Sequence, residues 1–214
     1  MSKLINFYSK IKQAKIHNPN YDQHLIELPF RMLVCCSSGS GKTNYILNLL
    51  YQMDSTFHRL IIITKAAEPL YGLLETKLKN RVEIHYEGKI PDFDKLEQGF
   101  NGLVIFDDMV LSPNQKIGEI FIRGRKLGYS SIYISQSFFG TPKLIRQNVN
   151  YVALGKGINR RDLRLILSEY SISMNIDELE KVYFTYSKES MNFTLLDLLK
   201  NNIRQNIKDN IIQN

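Results

Sequence analysis

The sequence predicts an α/β protein, a three-layer α/β/α sandwich around a mainly parallel central sheet, and three observations predict it. Apolar, β-branched runs such as Arg59–Thr64 and Gly102–Asp107 alternate with helical patterns along most of the chain. Between their ends these runs are continuously apolar, as strands covered on both faces are. The stretch Leu33–Thr43 then joins one such run, a Gly/Ser loop and the opening of an amphipathic helix without a break.

Residues 1–27 read as a lead-in, with Lys3, Lys10, Lys12 and Lys15 set among Leu4, Ile5, Phe7, Ile11 and Ile16. That pattern predicts a short basic amphipathic helix ended by Asn18-Pro19-Asn20, packing on the domain edge. Residues 28–190 form the main domain. After the helix that follows Thr43, the pattern predicts a central strand at Arg59–Thr64, a helix over Leu70–Leu78 and a less buried strand at Val82–Tyr86. A short helix is expected over Phe93–Phe100 and a buried strand over Gly102–Asp108. Pro113 is placed in a first helical turn, and Gly128 closes that helix. Strands follow at Ser131–Gln136 and Tyr151–Leu154. In residues 191–214, Leu196, Leu199, Ile203, Ile207 and Ile211 recur every three or four positions behind Thr194, a pattern that predicts an amphipathic helix capped by Thr194.

The formal net charge of +7 favours contact with a polyanion without requiring it. The two cysteines, Cys35 and Cys36, are adjacent in a predicted strand and point to opposite faces, so they are read as small core residues of a reducing compartment. No run approaches the length of a membrane span, and Met1–Lys15 lacks the apolar centre of a signal peptide; the expectation is a soluble, intracellular protein.

Strand, Gly/Ser loop, Lys-Thr and helix is the context of a phosphate-binding P-loop. Ser38, Gly39, Ser40 and Gly41 would turn backbone N–H groups around an anion, with the helix N-terminus at Lys42, Thr43 and Asn44 adding donors. Lys42 would reach the outer phosphates of ATP, and Thr43 would ligate Mg²⁺. Cys36 occupies the position where such loops carry their first glycine. Asp107 and Asp108 end an apolar strand expected beside the P-loop strand. Asp107 would hold the Mg²⁺ through its waters, and Asp108 would orient and deprotonate the attacking water. Gln136, at the end of a later strand, brings an amide suited to sensing the γ-phosphate to the same sheet edge.

Ser38–Thr43, Ile105–Asp108, Arg123–Lys126, Ile134–Ser137 and Pro142–Asn148, in that order, resemble the poxvirus-type DNA-packaging ATPases of the FtsK/HerA superfamily. The resemblance runs from about residue 28 to 160. It departs from the family at Cys36 and at Lys126, where many relatives have histidine. It implies a RecA/FtsK-like P-loop NTPase fold with an additional strand, and a homo-oligomeric ring, pentamer or hexamer, that drives viral double-stranded DNA into a preformed capsid. A capsid or portal-like partner, and a place in the host cytoplasm, viral factory or virion, follow from the same resemblance. In such rings an arginine completes the neighbouring subunit's site; Arg125 and Arg123 match that region, and both can equally be solvated helix-end cations. Lys143, Arg146, Arg160 and Arg161, with Arg164, are candidates for sequence-independent contact with DNA phosphates, or ordinary surface charge.

Two other functions compete with the motor. A nucleotide-dependent assembly or scaffolding factor would use the same site without moving DNA. A small-molecule P-loop kinase would need an acceptor pocket and lid, and Asp107-Asp108 with Gln136 favours water as the nucleophile.

Overall fold

The computed structural model describes residues 5, 7–10, 16–92, 101–109, 114–170 and 172–212. Most of the expected basic helix in the lead-in, the expected helix at Phe93–Phe100 and the helix-opening Pro113 lie outside the described residues. Among those described, Phe7–Lys10 is a 3-10 turn and α1 spans Tyr21–His24.

The main body alternates as its apolar runs require. β1 (Arg31–Cys35) leads to α2 (Lys42–Gln52), β2 (Arg59–Thr64) to α3 (Pro69–Leu78), and β3 (Val82–His85) follows. β4 (Gly102–Asp107), α4 (Asn114–Arg123), β5 (Tyr129–Ser135), α5 (Lys143–Arg146), β6 (Tyr151–Leu154), α6 (Arg160–Glu169) and α7 (Ile176–Tyr186) complete it. Gly128, at φ 86°, ends the 3-10 turn after α4 in the left-handed region that glycine takes without strain.

These strands and three more form one nine-stranded sheet in the order β3-β2-β4-β5-β1-β6-β7-β8-β9. Pairing is parallel from β3 through β6. Alternate residues of β1, and Cys36 just after it, feed opposite layers: Leu33 and Cys35 pack with Ile117, Phe121, Leu163 and Leu179, while Met32, Val34 and Cys36 pack with Ile46, Leu49, Tyr71 and Leu74. The adjacent cysteines therefore face different cores, both free and buried.

Residues 191–214 do not form the expected helix. They contribute β7 (Thr194–Asp197), β8 (Asn202–Gln205) and β9 (Asp209–Ile212), antiparallel strands that extend the chain's own sheet beyond β6. The three-to-four spacing of apolar residues arises because the chain reverses twice, with Asn201 (φ 50°) and Asn206 (φ 55°) in the left-handed region that asparagine tolerates in turns. Thr194 caps nothing: it pairs with Leu154 and Gln205, and its hydroxyl bonds Ser187 Oγ at 2.8 Å.

A buried ion pair fastens this extension. Arg204 is 1% exposed, and its guanidinium donates to Asp197 Oδ2 at 2.9 Å and to the carbonyls of His24 and Ile207 at 2.9 Å each. Asp197 Oδ1 accepts the backbone N–H groups of Leu199 and Lys200, both at 3.1 Å. Removing one partner leaves an uncompensated buried charge. Asp197→Ala should therefore lower the unfolding free energy by about 3–5 kcal/mol in a denaturant titration.

Candidate nucleotide-binding site

The loop after β1 is shaped by two left-handed glycines, Gly39 at φ 71° and Gly41 at φ 94°. A Cβ on Gly41 would press on Met191 Cγ at 3.0 Å, and the positive φ alone favours glycine there. Cys36 needs no such freedom: it is not among the residues with positive φ. Its fully buried side chain instead displaces the requirement onto the neighbouring strand end. A Cβ on Gly155 would sit 2.8 Å from Cys36 Cβ and 2.6 Å from the Phe193 ring. The first glycine of the usual loop is thus dispensable because Gly155 makes room.

The loop is tied to the chain that follows β6. Ser37 N and Oγ both donate to the Lys156 carbonyl, at 2.9 and 3.1 Å, and Ser37 Oγ lies 2.7 Å from Ser40 Oγ. Met191 N donates to the Ser40 carbonyl at 3.0 Å. Lys42 spans the loop, its Nζ donating to the carbonyls of Cys36 at 3.1 Å and Ser37 at 3.0 Å. α2 opens at Lys42 with no side chain capping its N-terminus, which leaves the first-turn N–H groups for an anion.

Asp107 ends β4 at the same carboxyl edge. β4 does not lie beside the P-loop strand as expected, because β5 is inserted between them. Tyr71 donates its phenolic proton to Asp107 Oδ2 at 2.7 Å. Burial pushes the Asp107 carboxyl above its usual range; the Tyr71 bond opposes this, the charge of Asp108 adds to it, Lys42 opposes it and Glu68 adds to it. Burial, and then the charge of Asp107, hold the Tyr71 phenol well above its ordinary pKa. Asp108 is exposed at φ 54°, so the chain turns and points the two carboxyl groups differently. Gln136 follows the last residue of β5 and is exposed between the ends of β1 and β4. Hydroxyl and carboxylate oxygens at Thr43 and Asp107 suit Mg²⁺, which keeps waters and takes its remaining ligands from phosphates.

The arginines lie elsewhere. Arg123 ends α4, and Arg125 is in the turn that enters β5, at the amino edge of the sheet. Arg125 is close enough to Arg31, the first residue of β1, to add to the burial that lowers the Arg31 pKa. Within one chain, then, the P-loop and Arg125 occupy opposite ends of the parallel strands. Arg146 leaves the set of candidate DNA contacts. It is 9% exposed, forms an ion pair with Glu169, donates Nε to the Thr141 carbonyl at 3.0 Å and stacks on Phe138. Arg160 ties α6 to α7 through Asp177 at 3.3 Å and Glu180 at 2.6 Å. Lys143 and Arg161 are exposed, the latter over the Phe139 ring at 4.4 Å. Tyr71, Glu68, Lys156 and Met191 were not legible as site residues, since each reads as an ordinary core, cap or loop residue.

The poxvirus A32 protein family model matches residues 20–203. The chain belongs to this family. The match takes in the loop, Asp107 and Asp108, all of β7 and the start of β8. Among curated proteins, the DNA packaging protein OPG160 of monkeypox virus is 28% identical over 146 residues, 60% of this chain and 48% of that protein. The vaccinia virus (strain Copenhagen) protein of the same name is also 28% identical, over 60% of this chain and 54% of its own. The chain spans about half the length of the curated relatives it matches.

Among solved structures, the genome packaging NTPase B204 from Sulfolobus turreted icosahedral virus 2, in complex with ATP-gammaS, superposes with a TM-score of 0.61. It is 15% identical, over 84% of this chain and 98% of that one. The cytoplasmic domain of the Thermomonospora curvata type VII secretion ATPase EccC gives 0.55 at 13% identity, over 77% of this chain and 24% of that one. The fold is that of the P-loop NTPases.

If Gly155 makes room for Cys36, Gly155→Ala should deform the loop. Overpacking of this kind costs about 1–3 kcal/mol. The variant should melt earlier and bind a fluorescent ATP analogue more weakly; wild-type melting and affinity would contradict the assignment.

Proposed function

We propose that this chain is an ATP-hydrolysing motor that translocates viral double-stranded DNA into a preformed capsid. The observation that carries the reading is the convergence of the Cys36–Thr43 loop, Asp107, Asp108 and Gln136 on one sheet edge in a chain of the A32 family. The names of the relatives point to DNA packaging, and the presence of ATP-gammaS in the B204 structure points to a nucleotide.

In this reading the loop N–H groups and Lys42 bind the phosphates of ATP, with Lys42 moving from the Cys36 and Ser37 carbonyls to the outer phosphate oxygens. Thr43 and Asp107 would hold Mg²⁺, which when bound screens phosphate charge. Asp108, exposed beside Asp107, takes the proton of the attacking water, and Gln136 hydrogen-bonds that water or the γ-phosphate. Charge developing on the transferring phosphoryl group needs a further cation. Arg125, or Arg123 in its stead, supplies it in trans, because the amino edge of one subunit's sheet can face the carboxyl edge of the next in a ring. Pentamer or hexamer, such a ring presents exposed Lys143 and Arg161 to DNA phosphates without reading bases. A capsid or portal-like component anchors it in the infected cell, in the cytoplasm or a viral factory.

Double-stranded DNA should raise the ATPase rate of the chain, equally for unrelated sequences, and added salt should abolish the increase. Hydrolysis indifferent to DNA would instead favour a nucleotide-dependent assembly factor.

Asp108→Asn should retain ATP binding while kcat falls by about 10²–10⁴. Arg125→Ala should also bind ATP yet hydrolyse it poorly. Mixing the two inactive variants should restore part of the activity, since some interfaces then pair an intact Asp108 with an intact Arg125. No recovery at any ratio, with subunit exchange verified, would rule out Arg125 in trans and direct the test to Arg123.

A further inference from the structure

Tyr71 is 0% exposed in the second layer of the core, yet its hydroxyl reaches the candidate site. Pro69 fixes the start of α3, and the turn Tyr71 N to Glu68 O at 2.9 Å aims the side chain at the end of β4. Its hydroxyl lies 2.7 Å from Asp107 Oδ2. A buried phenol needs a partner, and here the partner is the carboxylate that the proposed reading gives to the metal.

The protons can be assigned by counting donors. A phenol has one proton, and an ionised carboxylate can only accept. The Tyr71 proton therefore goes to Asp107 Oδ2. Asp107 Oδ1 is then the carboxylate oxygen left to act.

We propose that Tyr71 is a positioning residue that sets the Asp107 carboxylate for the divalent cation accompanying ATP. The proposal rests on the reading of this edge as a Mg–ATP site. Tyr71 touches neither phosphate nor cation, so its effect belongs to the metal dependence of binding and not to phosphate binding itself.

The test is Tyr71→Phe, which keeps the ring and removes the hydroxyl. A fluorescent, non-hydrolysable ATP analogue is titrated in EDTA and again across a Mg²⁺ series. Partners that orient a metal's ligands are worth about 10–100-fold in metal affinity. Tyr71→Phe should therefore raise the half-saturating Mg²⁺ concentration about tenfold or more, with affinity in EDTA unchanged. A residue that only fills the core would weaken binding alike in both media; that result, or an unchanged Mg²⁺ series, overturns the proposal. A cycle with Asp107→Asn gives a second reading. In that background the Tyr71 effect on the Mg²⁺ series should vanish, and an effect of equal size would also overturn it. If wild-type binding shows no Mg²⁺ dependence at all, the underlying reading of the site fails with it, an outcome distinct from a Tyr71 variant matching a Mg²⁺-dependent wild type.

Discussion

Six parallel strands end at one edge of the sheet, and β5 separates the strand that carries the loop from the strand that carries Asp107. Neighbouring strands lie about 4.8 Å apart, so one inserted strand opens a gap of about 10 Å between the ends of β1 and β4. In the proposed function that gap would take a phosphate and a cation, between Lys42 on one side and Asp107 on the other. Paired directly, β1 and β4 would bring the lysine and the carboxylate too close to leave room for both. Because β5 fills the sheet beneath the gap, its own end, at Ser135-Gln136, becomes the floor of the site.

The loop's shape depends equally on what lies beyond β1 on its other side. β6 runs into Gly155 and Lys156, which make room for Cys36 and bind Ser37, and the chain leading to β7 places Met191 against Ser40 and Gly41. The Phe193 ring packs on Tyr45 of α2 with centroids 4.3 Å apart, and the Tyr45 hydroxyl donates to the Asn206 carbonyl at 2.9 Å. The antiparallel extension is therefore part of the support for the loop and its helix, and the buried Asp197–Arg204 pair that fastens it acts on the site from a distance.

Much of this was legible in the sequence because it rests on local chemistry. Uninterrupted apolar runs report burial on both faces, and Gly-Lys-Thr opening a helix reports the glycine-shaped turn from β1 into α2. The opposed faces of Cys35 and Cys36 follow from strand geometry alone. What the sequence concealed depends on long-range pairing. The apolar spacing from Leu196 to Ile211 fits a helix as well as strands broken by Asn201 and Asn206, and only the free edge of β6 selects the strands. The position of β5 is a matter of strand order, to which local pattern is blind. Arg146 looks like surface charge until Glu169 and Thr141 close around it, and Tyr71 looks like core until its hydroxyl is traced to Asp107.

The account's central claim is that a nucleotide and its cation lie across the gap made by β5. A crystal structure of the chain with Mg²⁺ and a non-hydrolysable ATP analogue tests it most directly. The account predicts Lys42 Nζ on the outer phosphate oxygens, released from the Cys36 and Ser37 carbonyls, with the cation between Thr43 and Asp107. A nucleotide bound away from the Cys36–Thr43 loop, or a cation held without Thr43 and Asp107, would contradict it.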